Sequence, residues 1–214
     1  MNKKHVLCFG DSNTWGYCAQ TQGRYDDATR WTRQLSGLLG EEYLVVEEGL
    51  SGRTTCFEDP LSEGLSGLHL LTPILLSHAP LDLVVMMLGT NDCKQRFSAT
   101  PDNIKDGLLR LVKKARVTEA WREEPRLLIV APIIMDRRLY DTPHGAGMGE
   151  GSVEKSEQLP ALFRGLALEC GCAFLDSNPY VTPAPGDFMH FDPDSNRRFA
   201  QALAEKIRAI CGEL

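Results

Sequence analysis

The chain has 214 residues, 43% of them hydrophobic and 24% charged, with a formal net charge of −6 at pH 7. A chain of this length buries roughly 70% of its unfolded surface on folding, so its core needs no metal or disulfide, and the ordinary composition excludes disorder, collagen and coiled coil. The acidic balance lacks the basic footprint that phosphate backbones demand, which argues against nucleic acid, and no apolar run approaches the ~20 residues of a membrane span.

In chain order, Met1–His5 carries two lysines ahead of an apolar run too short for a signal peptide. Val6–Phe9 is the first of five nearly continuous apolar runs, followed by Tyr43–Val46, Leu83–Leu88, Leu127–Val130 and Ala173–Leu175. Strands covered by helices on both faces read this way. Helical spacing lies between them. Trp31, Leu35, Leu38 and Leu39 form one stripe. Ile104, Leu108, Leu111, Val112 and Ala115 form another, opened by Thr100-Pro101. Residues 159–170 share this spacing, with Pro160 obscuring the start. Phe199, Leu203, Ile207 and Ile210 close the series behind Asp192-Pro193.

The alternation predicts a doubly wound, flavodoxin-like α/β/α sandwich around a five-stranded parallel sheet, with right-handed crossovers. No linker or repeat divides the chain, so one domain over residues 1–214 is expected. Residues 52–66 and 136–152 are expected as long loops. The glycines of the second do not follow a strand directly or keep G-x-G-x-x-G spacing, which excludes a dinucleotide site there. The seven cysteines are odd in number and contain no C-x-x-C, which supports neither zinc nor a disulfide framework and fits a reducing, cytosolic setting.

Ligands of open α/β sheets bind beyond the carboxyl ends of the strands. Three of those ends present glycine beside small polar side chains: Gly10-Asp11-Ser12-Asn13-Thr14, Gly49-Leu50-Ser51-Gly52-Arg53, and Gly89-Thr90-Asn91-Asp92. Turn chemistry alone accounts for any one of them; three on one sheet edge point to a site. A nucleophilic serine needs a base, and the base an orienting group. Of five histidines, His5 lies at the wrong end of the sheet, His69 and His78 read as packed or helix-terminal, and His144 has no evident partner. His190 follows Asp187 by three residues, close enough for the acid to fold back on the imidazole.

These residues resemble the four sequence blocks of the GDSL/SGNH hydrolase superfamily, in order and over essentially the whole chain. Residues 9–17, 47–55 and 81–92 are similar to its bacterial arylesterase and acyltransferase branch, through Trp15-Gly16 and the run from Glu47 to Thr55. The resemblance implies Ser12 as nucleophile, His190 as general base and Asp187 as its orienting acid. It implies an oxyanion hole from the backbone N–H groups of Ser12 and Gly52 and the side-chain amide of Asn91. Asp11 and Asp92 are expected to hold turns. Trp15 reads equally as a substrate-binding wall, together with loop 52–66, or as core. Asn13 stands where the family often has leucine and is expected to touch no catalytic role.

The implied activity is a serine esterase acting on small acyl esters, with water or an alcohol accepting the acyl group. A carbohydrate O-acetylesterase, an acyl-thioesterase or a lysophospholipase would use the same residues. A non-catalytic flavodoxin-like binding module has no use for Asn91 and His190. No H-E-x-x-H or zinc spacing occurs, so neither metal nor organic cofactor is expected. The expected partner is a small-molecule acyl ester. Members of the branch often associate, so a homo-oligomer is compatible with the resemblance, although these residues do not encode it legibly.

Overall fold

The computed structural model describes residues 3–212. The strands in chain order are β1 (Lys4–Gly10), the two-residue pair β2 (Tyr17–Cys18) and β3 (Gly23–Arg24), then β4 (Tyr43–Gly49), β5 (Leu83–Met87), β6 (Leu127–Ala131) and β7 (Ala173–Asp176). The helices are α1 (Ser12–Trp15), α2 (Trp31–Leu39), α3 (Gly67–Ser77), α4 (Pro101–Val117), α5 (Pro143–Met148), α6 (Ser152–Ser156), α7 (Leu159–Cys170) and α8 (Pro193–Cys211). Five strands form one parallel sheet in the order β4-β1-β5-β6-β7. Each of the five apolar runs falls on one of them, the third running one residue past the end of β5, to Leu88. The antiparallel ribbon β2–β3 was not anticipated.

Alternate strand residues face opposite cores. Leu7, Phe9, Val84, Met86 and Ile129 pack with Leu71 and Leu75 of α3, Ile104 and Leu108 of α4, and Phe163 and Leu166 of α7. Val6, Cys8, Val85, Leu128 and Val130 pack with Trp31 and Leu35 of α2 and with Phe199, Leu203 and Ile207 of α8. The sheet thus lies between two helical layers, as expected. Thr100 caps α4 through a capping box with Asn103, and Asp192 caps α8 by accepting the Ser195 N–H. Pro160 sits in the first turn of α7, where its missing N–H is harmless, and so marks the start of that helix.

One expectation is corrected. Residues 136–152 are not an irregular loop; they form a 3₁₀ turn at Arg137–Asp141, then α5 and the start of α6. Thr142 starts α5 by accepting the Gly145 N–H, Pro143 pre-sets the first turn, and Gly149 stops it with φ +76°. Residues 67–77 form α3 with Pro73 inside it, and His78 stands at its C-terminal end, in agreement with the helix-terminal reading.

The strand order reverses between β1 and β5, and such a switch point leaves a crevice at the strand ends. The segments following β4, β1 and β5 meet there.

Candidate active site

The chain leaves β1 at Gly10, whose bare Cα faces Thr14 and the Met87 carbonyl; a Cβ there would stand 2.0 Å from Thr14 Oγ1. Asp11 caps the short helix that follows by accepting the Asn13 N–H at 3.0 Å. Ser12 is the first helical residue, 6% exposed. Its Oγ lies 2.8 Å from His190 Nε2, and His190 Nδ1 lies 2.7 Å from Asp187 Oδ2. The other oxygen of Asp187 accepts the N–H groups of Met189 at 3.0 Å and His190 at 3.1 Å. This tight turn puts Phe188 at φ +58°, and the Asp136 N–H holds the Phe188 carbonyl. Burial pushes the Asp187 carboxyl up, but His190 and the two N–H donors outweigh it, so the acid sits below the usual carboxylate range.

Gly52 follows β4 at φ +88°, in a region that favours glycine; an added Cβ would stand 2.9 Å from Leu65 Cδ1. Asn91 begins the turn after β5 and donates one amide hydrogen to the Arg53 carbonyl at 3.1 Å. An amide has a second N–H, which remains for a ligand. Arg53 anchors the Gly52 loop from beneath. Its Nη1 donates to the carbonyls of Gly10, at 3.0 Å, and Glu48, and its guanidinium lies 4.2 Å from the Phe9 ring centroid. Burial lowers this guanidinium to about 10. Asp92 accepts the Thr55 N–H at 2.9 Å and the Thr55 hydroxyl, which ties the end of β5 to the same loop. Both Asp11 and Asp92 thus hold turns, as expected.

Ser12, Gly52, Asn91 and His190 line one cleft of about 350 Å³, walled also by Tyr17, Lys94, His144, Met148 and Met189. A larger depression of about 730 Å³ shares α5 with it, lined by Tyr140, Gly149 and Glu154, and contains none of the expected site residues. Among the described residues, no group of three or more His, Cys, Asp or Glu is arranged to hold a metal.

Three readings of the site change. Trp15 does not line the cleft; its ring lies 5.4 Å from the Arg24 guanidinium, and Arg24 Nε donates to its carbonyl. Loop 52–66 contributes only its first residue, Gly52, to the wall. Asn13 is not idle. Its Oδ1 accepts the Phe191 N–H at 3.0 Å and its Nδ2 donates to the Met189 carbonyl at 3.3 Å, so it grips the backbone on both sides of His190. Leucine has no donor or acceptor for this.

The sequence also hid two neighbours of His190. The Tyr17 ring packs 4.4 Å from its ring centroid, and the Tyr17 hydroxyl meets His144 Nε2 at 3.3 Å, which gives His144 the partner it lacked. No short spacing links residues 17, 144 and 190, so pattern reading had no signal for the cluster. Of the remaining histidines, His78 ends α3 and pairs with Glu48 at 2.8 Å, whereas His69 is exposed beside Glu58 rather than packed.

The family model described as GDSL-like lipase/acylhydrolase matches residues 8–198. The chain belongs to this family. No curated protein matches this GDSL-like acylhydrolase, but solved structures do. A carbohydrate acetylesterase family member from Sinorhizobium meliloti is 38% identical, with 98% of this chain and 99% of that one covered at a TM-score of 0.90. The M. smegmatis aryl esterase is 35% identical over 97% of this chain and 99% of its own, at 0.89. Est24, a carbohydrate acetylesterase from S. meliloti, is 36% identical over 97% and 100%, also at 0.89. The GDSL-like acylhydrolase is a carboxylic ester hydrolase with the α/β fold of these neighbours.

Proposed function

We propose that this esterase removes small acyl groups through a Ser12 acyl-enzyme. The observation that carries the reading is the unbroken Ser12–His190–Asp187 chain, at 2.8 and 2.7 Å, beside an amide with an uncommitted N–H. Ser12 Oγ attacks the ester carbonyl carbon while His190 Nε2 takes its proton. Asp187 keeps the other ring hydrogen on Nδ1 and stabilises the imidazolium. The N–H groups of Ser12 and Gly52 and the Asn91 amide receive the oxyanion, where one such donor is worth about 3–4 kcal/mol. Collapse breaks the ester C–O bond, and His190 returns the proton to the departing alcohol. A water or a second alcohol then attacks the acyl-enzyme, with His190 again as base. A cleft of about 350 Å³ suits a short acyl chain, and its Met148 and Met189 wall favours an alcohol over water as acceptor.

A second substrate reading has its own support. Two of the similar structures are carbohydrate acetylesterases, and Tyr17, Ser51 and His144 supply polar groups around the cleft for sugar hydroxyls. We further place the enzyme in a reducing, cytosolic compartment, supported by the thiol state of Cys8, Cys18, Cys56, Cys93, Cys170 and Cys172.

The test is release of 4-nitrophenol from acetate through octanoate esters, and of acetate from peracetylated sugars, with wild type beside Ser12→Ala. The expected result is fastest cleavage of the short esters and less than a tenth of wild-type turnover in a folded Ser12→Ala protein. Sugar deacetylation faster than any aryl ester would favour the second reading. A variant that keeps more than a tenth of the turnover removes Ser12 from the nucleophile role.

A further inference from the structure

Lys94 follows the turn that carries Asn91 and lines the same cleft as Ser12 and His190. Its side chain is only 12% exposed, and its nearest carboxylate oxygen, Asp59 Oδ2, is 3.8 Å from Nζ, beyond hydrogen-bond range. Among the described residues Nζ makes no hydrogen bond to protein. An ammonium has three donors, and here none is spent on protein, while Nζ is not among the fully buried polar atoms, so it opens onto the cleft and a substrate anion can take the place of water there.

Asp59 is committed elsewhere. Arg96 holds it in a fork, Nε to Oδ1 at 3.1 Å and Nη2 to Oδ2 at 2.7 Å, while the Leu61 N–H takes Oδ1 at 3.0 Å. Arg96 Nη1 donates to the Gly147 carbonyl of α5, so this guanidinium braces the cleft wall. Two cations therefore share one contacting carboxylate, and no Asp or Glu is in the cleft lining itself. Burial and the charge of Arg96 hold Lys94 below the usual lysine range, with Asp59, Asp11 and Asp92 pulling the other way. An anion at Nζ would relieve both effects.

We propose that Lys94 is a specificity residue that binds a carboxylate of the substrate, so that the preferred esters carry a carboxylate away from the scissile bond. One ammonium without a free guanidinium fork matches a singly charged group better than a phosphate, which is commonly gripped by bidentate arginine. Met148 and Met189 share the cleft lining with Lys94, so a carboxylate on an apolar stem, such as a short dicarboxylic acyl chain or an aromatic acid, matches the lining on both counts. This inference rests on the esterase reading above.

Two matched pairs of substrates test it. 4-Acetoxybenzoate against its methyl ester places the charge on the alcohol side. 4-Nitrophenyl hemisuccinate against 4-nitrophenyl pentanoate places it on the acyl side. The quantity read is the charged-to-neutral ratio of kcat/KM, which cancels any loss common to both members. In one pair the wild-type ratio should exceed that of Lys94→Met by at least about tenfold, the scale of a hydrogen bond to a charged group. Lys94→Arg should keep most of the preference. In wild type alone the preference should shrink as salt is raised, a readout that stands even if Lys94→Met fails to fold. A wild-type preference in neither pair, or one that survives in Lys94→Met, overturns the proposal. Phenyl acetate, which carries no charge, tests the esterase reading separately: serine-dependent turnover there with no charge preference sinks only the Lys94 proposal.

Discussion

Asn13 shows how a single side chain fixes catalytic geometry without touching substrate. It stands on α1 one residue from Ser12, yet its amide spans to Met189 and Phe191, on either side of His190. Its own carbonyl accepts the Trp31 indole N–H at 2.8 Å, so the clamp is seated on the α2 layer of the core. The serine and its base come from chain segments 178 residues apart, and this amide sets their separation. Misplacing a reacting group by about 1 Å can cost roughly 100-fold in rate. Asn13→Leu, which restores the family's common residue, should therefore lower kcat by about 10- to 100-fold while KM for a small ester moves less than about twofold. Asn13→Asp keeps an acceptor for the Phe191 N–H but loses the donor, and should fall between. Steady-state kinetics beside thermal melting separate the two effects; an unchanged kcat in a folded Asn13→Leu protein would reduce Asn13 to packing.

At the scale of elements, the oxyanion donors depend on the bond between the end of β5 and the loop after β4. Asp92 makes it, fully buried, and burial pushes its carboxyl up to about 6 against the pull of the Thr55 hydroxyl and N–H. A folded value above the unfolded 3.8 means that stability from this group is complete below about 3.8 and is lost as pH rises through about 6. At 1.36 kcal/mol per pH unit the swing is on the order of 3 kcal/mol. Asp92→Asn does not titrate, so wild type should lose about that much relative to the variant between pH 4 and 7, measured by urea unfolding at each pH. A constant difference would mean that the carboxylate is ionised in the fold throughout.

The same scale explains what the sequence made legible. The five sheet strands stand out because burial on both faces leaves continuous apolar runs, and α4 and α8 because their caps and stripes agree. Helix α5 was hidden by its own composition, since it is only six residues long and two of them, Gly145 and Gly147, disfavour helix. Gly145 is required there, because a Cβ would meet the Leu139 carbonyl at 2.2 Å. The β2–β3 ribbon has too few residues to show periodicity. At the site, Ser12, Asn91, Asp187 and His190 were readable because each lies in a local motif beside a strand or helix end. Lys94, Tyr17, His144 and the grip of Asn13 arise from long-range packing and leave no local pattern.

For the whole molecule, one sheet carries two cores, so neither helical layer has an independent base on which to fold. Residues alternate along β1 between the two: Leu7 and Phe9 serve one face, Val6 and Cys8 the other. Melting one layer would strip half of every strand's packing at once. The expectation of one domain becomes a measurable one through two tryptophans on opposite faces. Trp31 is fully buried with α8, where its ring meets Phe199 edge-on at 5.1 Å, and Trp121 packs against the other core while its indole N–H holds the Ala115 carbonyl. Trp15 lies under Arg24 and contributes to neither core cluster. Trp15→Phe with Trp121→Phe leaves Trp31 as sole reporter, and Trp15→Phe with Trp31→Phe leaves Trp121. In each double variant the fluorescence midpoint in urea should coincide with the far-ultraviolet circular dichroism midpoint and with loss of ester turnover, as two-state unfolding requires. The variant without Trp31 should unfold at lower urea, because it loses the indole bond to Asn13 together with core volume. A fluorescence transition that precedes the dichroism change in one variant alone would assign that face its own stability, and would separate the layer that seats Asn13 from the layer that packs behind Asn91.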